Sequence, residues 1–67
     1  MSPQRIGKML QDRREATGLT REQLAKKAKV TTAYVSMMEA GKRENPSLAI
    51  LQRLAKALGV PVTELLR

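Results

Sequence analysis

Sixty-seven residues suffice for one domain, near the lower limit for folding without a staple, and the absence of Cys and His rules out a disulfide framework or a Cys/His metal site. Thirteen Lys and Arg against six acidic residues give a net charge of +7, which points to a polyanionic partner. No apolar run approaches the roughly 20 residues that span a membrane, and nothing resembles a signal peptide, so no membrane association is expected and the cytoplasm is the default location. No cofactor is expected, and no small-molecule ligand is evident in the sequence.

Phe and Trp are missing and Tyr34 is the lone aromatic residue, so the core must come from Leu, Ile, Val, Met and Ala. That composition suits packed helices better than a sheet. Ser2-Pro3 opens the first helix, Ser as N-cap and Pro at the first helical position. Ile6, Met9 and Leu10 recur at helical spacing up to a stop at Gly18, and Leu19 turns back onto the core. Thr20-Arg21-Glu22-Gln23 reads as a capping box, beginning a short second helix with Leu24, Ala25 and Ala28 on its inner face. Thr31 is the expected N-cap of a third helix running to about Ala40, ended by Gly41. So few residues separate helices two and three that they must cross steeply. Residues 42–46 read as a polar loop closed by Pro46. Ser47 then caps a fourth helix with Leu48, Leu51, Leu54, Ala55 and Leu58 on one face, ended by Gly59. Val60-Pro61 leads to a brief fifth helix in which Leu65 and Leu66 close the core. The expected architecture is all-α, a compact bundle of five short helices forming a single domain over residues 1–67.

The run Leu24-Ala25-Lys26-Lys27-Ala28-Lys29-Val30-Thr31-Thr32-Ala33-Tyr34-Val35-Ser36-Met37-Met38-Glu39-Ala40-Gly41 resembles the helix-turn-helix of phage repressors and Cro, also called the XRE family. Ile6-Gly7 and Arg14 before it, Lys42-Arg43 and Pro46 after it, and Gly59-Val60-Pro61-Val62 with Leu65-Leu66 at the end extend the resemblance over nearly the whole chain. It implies a lambda-repressor-like DNA-binding domain with its helix-turn-helix unit at about residues 20–41. Ala25 then sits where helices two and three cross, Val30 plugs the turn, and Val35 and Met38 point inward. The resemblance also implies that Arg14 reaches Glu39, an ion pair that positions the reading helix.

In such a unit the third helix enters the major groove and its first turns face base edges. The family pattern puts the readers at Thr32, Ala33, Ser36 and Met37. None of these is Arg, Lys, Gln or Asn, the residues that make bidentate contacts to guanine or adenine. Packing of Thr32, Ala33 and Met37 against thymine methyls therefore implies an A/T-weighted site. Glu39 is the sole charged residue between Thr31 and Gly41, whereas the flanks are rich in cations. A neutral helix would read bases while its surroundings grip phosphates, with Thr20, Arg21, Thr31, Tyr34, Lys42 and Arg43 as candidates. Lys26, Lys27 and Lys29 either add a diffuse field or face solvent, and the direction of Arg13, where the family has an apolar residue, is open.

Catalysis has no foothold: there is no glycine-rich phosphate loop, no paired-carboxylate pattern, and no base for Ser36. The expected function is a transcriptional regulator, a repressor in the first instance, binding a short symmetric operator on double-stranded DNA as a homodimer. Two alternatives stay open. One is an antitoxin-like or restriction-controller subunit that also binds a protein partner; the other is an interaction module that has lost base readout. Val60, Val62 and Leu66 are candidates either for a dimer surface or for closing the core.

Overall fold

The computed structural model describes residues 3–42 and 46–66. It consists of four α-helices, α1 (Pro3–Thr17), α2 (Arg21–Ala28), α3 (Thr32–Glu39) and α4 (Leu48–Leu58), followed by a short 3-10 turn at Val62–Glu64. No strand occurs among the described residues. The fifth helix expected from the sequence is reduced to that turn. The amides of Glu64, Leu65 and Leu66 bond to the carbonyls of Pro61, Val62 and Thr63 at 2.9, 3.0 and 3.1 Å. All three are i→i+3 bonds, so the backbone winds too tightly for an α-helix. The expected Ser2 cap and residues 43–45 of the expected loop lie outside the described residues.

Three helices begin in the same way. Thr20, Thr31 and Ser47 hold extended backbone, and their side-chain oxygens accept from the amides of Gln23, Tyr34 and Ile50 at 3.0, 3.0 and 3.1 Å. Each satisfies one of the amides a helix start leaves without a partner. At α2 the Gln23 side chain also accepts from the Thr20 amide at 2.9 Å, completing the capping box.

The ends of α2 and α4 share a motif with different residues in its left-handed position. At α4, Gly59 takes φ 72°, and the Gly59 and Val60 amides return to Lys56 and Ala55 at 3.1 and 3.0 Å. At α2 the same place is filled by Lys29, at φ 59° and ψ 44°, with the Lys29 and Val30 amides returning to Lys26 and Ala25 at 3.3 and 3.0 Å. Arg53 of α4 secures this end by donating from Nε to the Ala28 carbonyl at 3.0 Å and from Nη2 to the Lys29 carbonyl. A side chain in the left-handed region costs about 1–2 kcal/mol, of which glycine's greater unfolded-state freedom would offset about half. Lys29→Gly is therefore expected to raise the melting temperature by about 4 °C. A thermal melt followed by circular dichroism checks this, and an unchanged or lower midpoint would show that Lys29 carries no strain.

Leu10, Leu24, Val35, Met38, Leu54 and Leu65 are fully enclosed, so every helix, and Leu65 directly after the terminal turn, contribute to one core. Its arrangement centres on α2, which packs against both α3 and α4, while α1 lies mainly against α3. Gly7 sets the α1–α3 approach: a Cβ there would lie 2.0 Å from the Met38 carbonyl oxygen. Val60, Val62 and Leu66 are half-buried and pack against the core. One inward assignment needs correcting, because Leu48 is 57% exposed. It is the first residue of α4, and the buried face begins one turn later with Leu51, Leu54, Ala55 and Leu58. Arg13 finds its direction through tertiary structure. Its Nη2 donates to Glu64 at 2.6 Å, joining α1 to the 3-10 turn.

Candidate nucleic-acid interface

The exposed side of α3 follows from which of its residues the core takes. Val35 and Met38 are buried and Tyr34 packs partly against the core. That leaves Thr32 and Ala33 exposed, Ser36 half-buried and Met37 42% exposed, at spacings i, i+1, i+4 and i+5 along one face. The strip carries two hydroxyls, a methyl and a thioether, and no charge. Methyl and thioether groups offer contact to thymine methyls, and the hydroxyls either donate or accept.

Around this strip lie the polar groups suited to a phosphate backbone. Thr31 is exposed, and while its oxygen caps the Tyr34 amide its hydroxyl proton remains able to donate. Thr20 stands in the same situation at the start of α2. Lys42 is exposed just beyond α3, its amide fixed to the Met37 carbonyl at 3.0 Å. Arg43 lies outside the described residues. Tyr34 is half-buried, with its ring partly against the core.

Arg21 is held more firmly than a solvent-facing cation. Its Nε donates to Glu39 Oε1 at 2.9 Å, while its side chain stays 45% exposed. Glu39 Oε2 accepts from Arg14 Nε at 2.6 Å, and Oε1 accepts from Arg14 Nη2 at 3.1 Å. Arg14 Nη1 donates to the Leu19 carbonyl at 2.8 Å, which brings the α1–α2 connection into the same network. One carboxylate, 1% exposed, thus ties α1, the start of α2 and the end of α3 together. Burial pushes the Glu39 carboxyl up, but the hydrogen bonds and charges of Arg14 and Arg21 outweigh it and leave its pKa below the ordinary value. The hydrogen bond to Glu39 correspondingly raises the pKa of Arg14 against the effect of burial.

The participation of Arg21 in this network was not read from the sequence. A usable signal existed: Glu39 is the sole acid between Glu22 and Glu44, so any cation near the α2–α3 crossing has one carboxylate within reach. The roles of Arg53 and Arg13 had no such signal, since each depends on how distant segments dock.

The helix-turn-helix family model matches residues 10–65. Among curated relatives, RghRB of Bacillus subtilis, an uncharacterized HTH-type transcriptional regulator, is 39% identical over 66 residues, covering 98% of this chain and 46% of its own length. This chain spans about half the length of that relative. Two solved structures superpose closely. The restriction-modification controller protein C.AhdI from Aeromonas hydrophila gives a TM-score of 0.90 at 36% identity over 94% of each chain. SinR, the master regulator for biofilm formation, in complex with DNA gives 0.89 at 34% identity, over 92% of this chain and 98% of that one. The chain belongs to the helix-turn-helix family of XRE-type transcriptional regulators.

Proposed function

We propose that residues 1–67 act as a single sequence-specific DNA-binding domain, with residues 20–41 as the helix-turn-helix unit and no catalytic role. The observation that carries this reading is the uncharged outward strip of α3, Thr32, Ala33, half-buried Ser36 and Met37, with the cations Arg21, bonded to Glu39 at the end of α3, and Lys42, bonded through its amide to the Met37 carbonyl. In this reading α3 enters the major groove and its strip reads an A/T-weighted half-site. Thr20, Arg21, Thr31, Tyr34, Lys42 and Arg43 contact phosphates, and the Arg14–Glu39 pair keeps α3 at its angle to α1. A homodimer on a two-fold symmetric operator doubles the few base pairs that one α3 can reach, and occupancy of a promoter by that dimer represses transcription. The solved SinR complex with DNA supports this reading by likeness.

The similarity to C.AhdI, spanning 94% of both chains, favours a second reading in the same chemistry, a controller subunit of a restriction-modification system. A binding site located upstream of a restriction gene would select that reading over a general repressor.

Salt titration tests the division between phosphate grip and base readout. Arg21→Ala and Lys42→Ala are each expected to lower the slope of log affinity against log salt by about 0.9 while leaving the preferred sequence unchanged. Met37→Ala is expected to weaken the preferred duplex and leave the slope as it was. Should Met37→Ala weaken preferred and scrambled duplexes alike, the strip does not read bases.

A further inference from the structure

A second cationic feature lies away from α3. The end of α2 and the middle of α4 enclose an open trough of about 470 Å³ lined by Lys27, Ala28, Lys29, Arg53, Lys56 and Ala57. Its charged lining is wholly cationic and exposed, and the remaining lining residues are two alanines, Ala28 buried and Ala57 half-buried. α4 contains no acidic residue, and the one acid of α2, Glu22, sits in its first turn, away from the trough. Lys27, Lys29 and Lys56 make no ion pair among the described residues. Arg53 is fixed in place by its bonds to the Ala28 and Lys29 carbonyls, so the trough has one rigid edge. No lining residue comes from α3, and α3 and α4 pack against α2 without substantial contact between themselves.

We propose that this trough is a docking site for an acidic segment of a partner protein, usable while α3 is engaged with DNA. Four like charges around one concavity repel one another, and an anionic occupant relieves that repulsion. The two alanines distinguish the occupant further. A peptide alternating carboxylates with small apolar side chains places methyl groups on Ala28 and Ala57 and carboxylates on the lysines. A phosphodiester backbone satisfies the cations but offers only sugar C–H edges, and no methyl-bearing side chains, to the two alanines. The separation from α3 leaves the trough outside the strip assigned to the duplex, so both ligands fit on one domain.

The test is a titration of the full chain with a short synthetic peptide alternating Glu and Ala, followed by amide chemical shifts with and without a bound duplex. Shift changes are expected at residues 27–30 and 53–57 in both states. The double substitution Lys27→Ala/Lys56→Ala, at exposed helical positions, is expected to weaken the peptide by about tenfold, whereas Lys8→Ala on α1 leaves it unchanged. Thermal melts of the double variant within a few degrees of the parent protein separate lost docking from lost folding. The proposal is overturned if the duplex alone moves the same amides, because the trough then belongs to the DNA-binding surface. It is equally overturned if inorganic phosphate reproduces the peptide shifts, if those shifts scatter over all basic surfaces, or if the double variant binds as before.

Discussion

Glu39→Ala is expected to destabilise the domain by about 3–5 kcal/mol, because it leaves the Arg14 guanidinium enclosed without its counter-charge. Arg14 is only 11% exposed at the side chain, so water cannot readily replace the lost carboxylate. A chain of this length has a total stability of about 3–10 kcal/mol, so the variant sits close to unfolding at ordinary temperature. Glu39→Gln keeps the shape and much of the hydrogen bonding but removes the charge, and falls between the two. Acid titration gives a second readout of the same carboxylate. Its folded-state pKa is depressed, so its contribution is fully present above the unfolded value of about 4.3 and disappears as pH falls through the folded value. The melting temperature of the parent protein should therefore decline in that acid range, and Glu39→Gln should show a shallower decline. Equal acid sensitivity in both proteins would place the titrating group elsewhere.

The second large effect comes from adding one carbon. Gly7→Ala puts a methyl group 2.0 Å from the Met38 carbonyl oxygen and 3.2 Å from the Glu39 carbonyl carbon, both backbone atoms that no rotamer change can move aside. Either α1 separates from α3 or the chain distorts, at about 3 kcal/mol, the upper end of the usual overpacking range. The sign makes this a sharp test. In a solvent-exposed helix the same change stabilises by about 1 kcal/mol, since alanine is the better helix former. A urea denaturation midpoint that falls steeply supports the close approach of α1 to α3; a midpoint that rises means the helices are not that near. Because Gly7 meets the turn of α3 that carries Glu39, parting these helices also stretches the Arg14–Glu39 bonds. Gly7→Ala and Glu39→Ala should thus combine less than additively.

The helix starts and stops were legible because each depends on neighbours in sequence. A hydroxyl three residues before the amide it caps, or a glycine after the last apolar position, needs nothing from the rest of the fold. The left-handed residue at the end of α2 escaped this reading because Lys29 gives no local sign of it. What stabilises that end is Arg53, docked from a different helix. Spacing likewise placed Leu48 with the core leucines of α4, but a first-turn residue is covered only if a neighbour extends past it, and none does so fully. The terminal segment looked helical from its apolar residues, yet the chain makes only one tight turn there. At the candidate interface, the outward strip of α3 could be read from the residues its inner face must bury. The capture of Arg21 by Glu39 was legible only in outline: Glu39 is the one acid within reach of the α2–α3 crossing, but which cation takes it depends on how the two helices meet in three dimensions.

The central claim, that α3 reads a DNA sequence, is tested most directly by selecting binders from a randomised duplex pool and titrating the winner against a scrambled duplex across salt. A symmetric, A/T-weighted consensus is expected, bound about 10³-fold or more tightly than the scramble. Binding that falls steeply with salt but enriches no sequence would contradict it, leaving a domain that grips phosphates without reading bases.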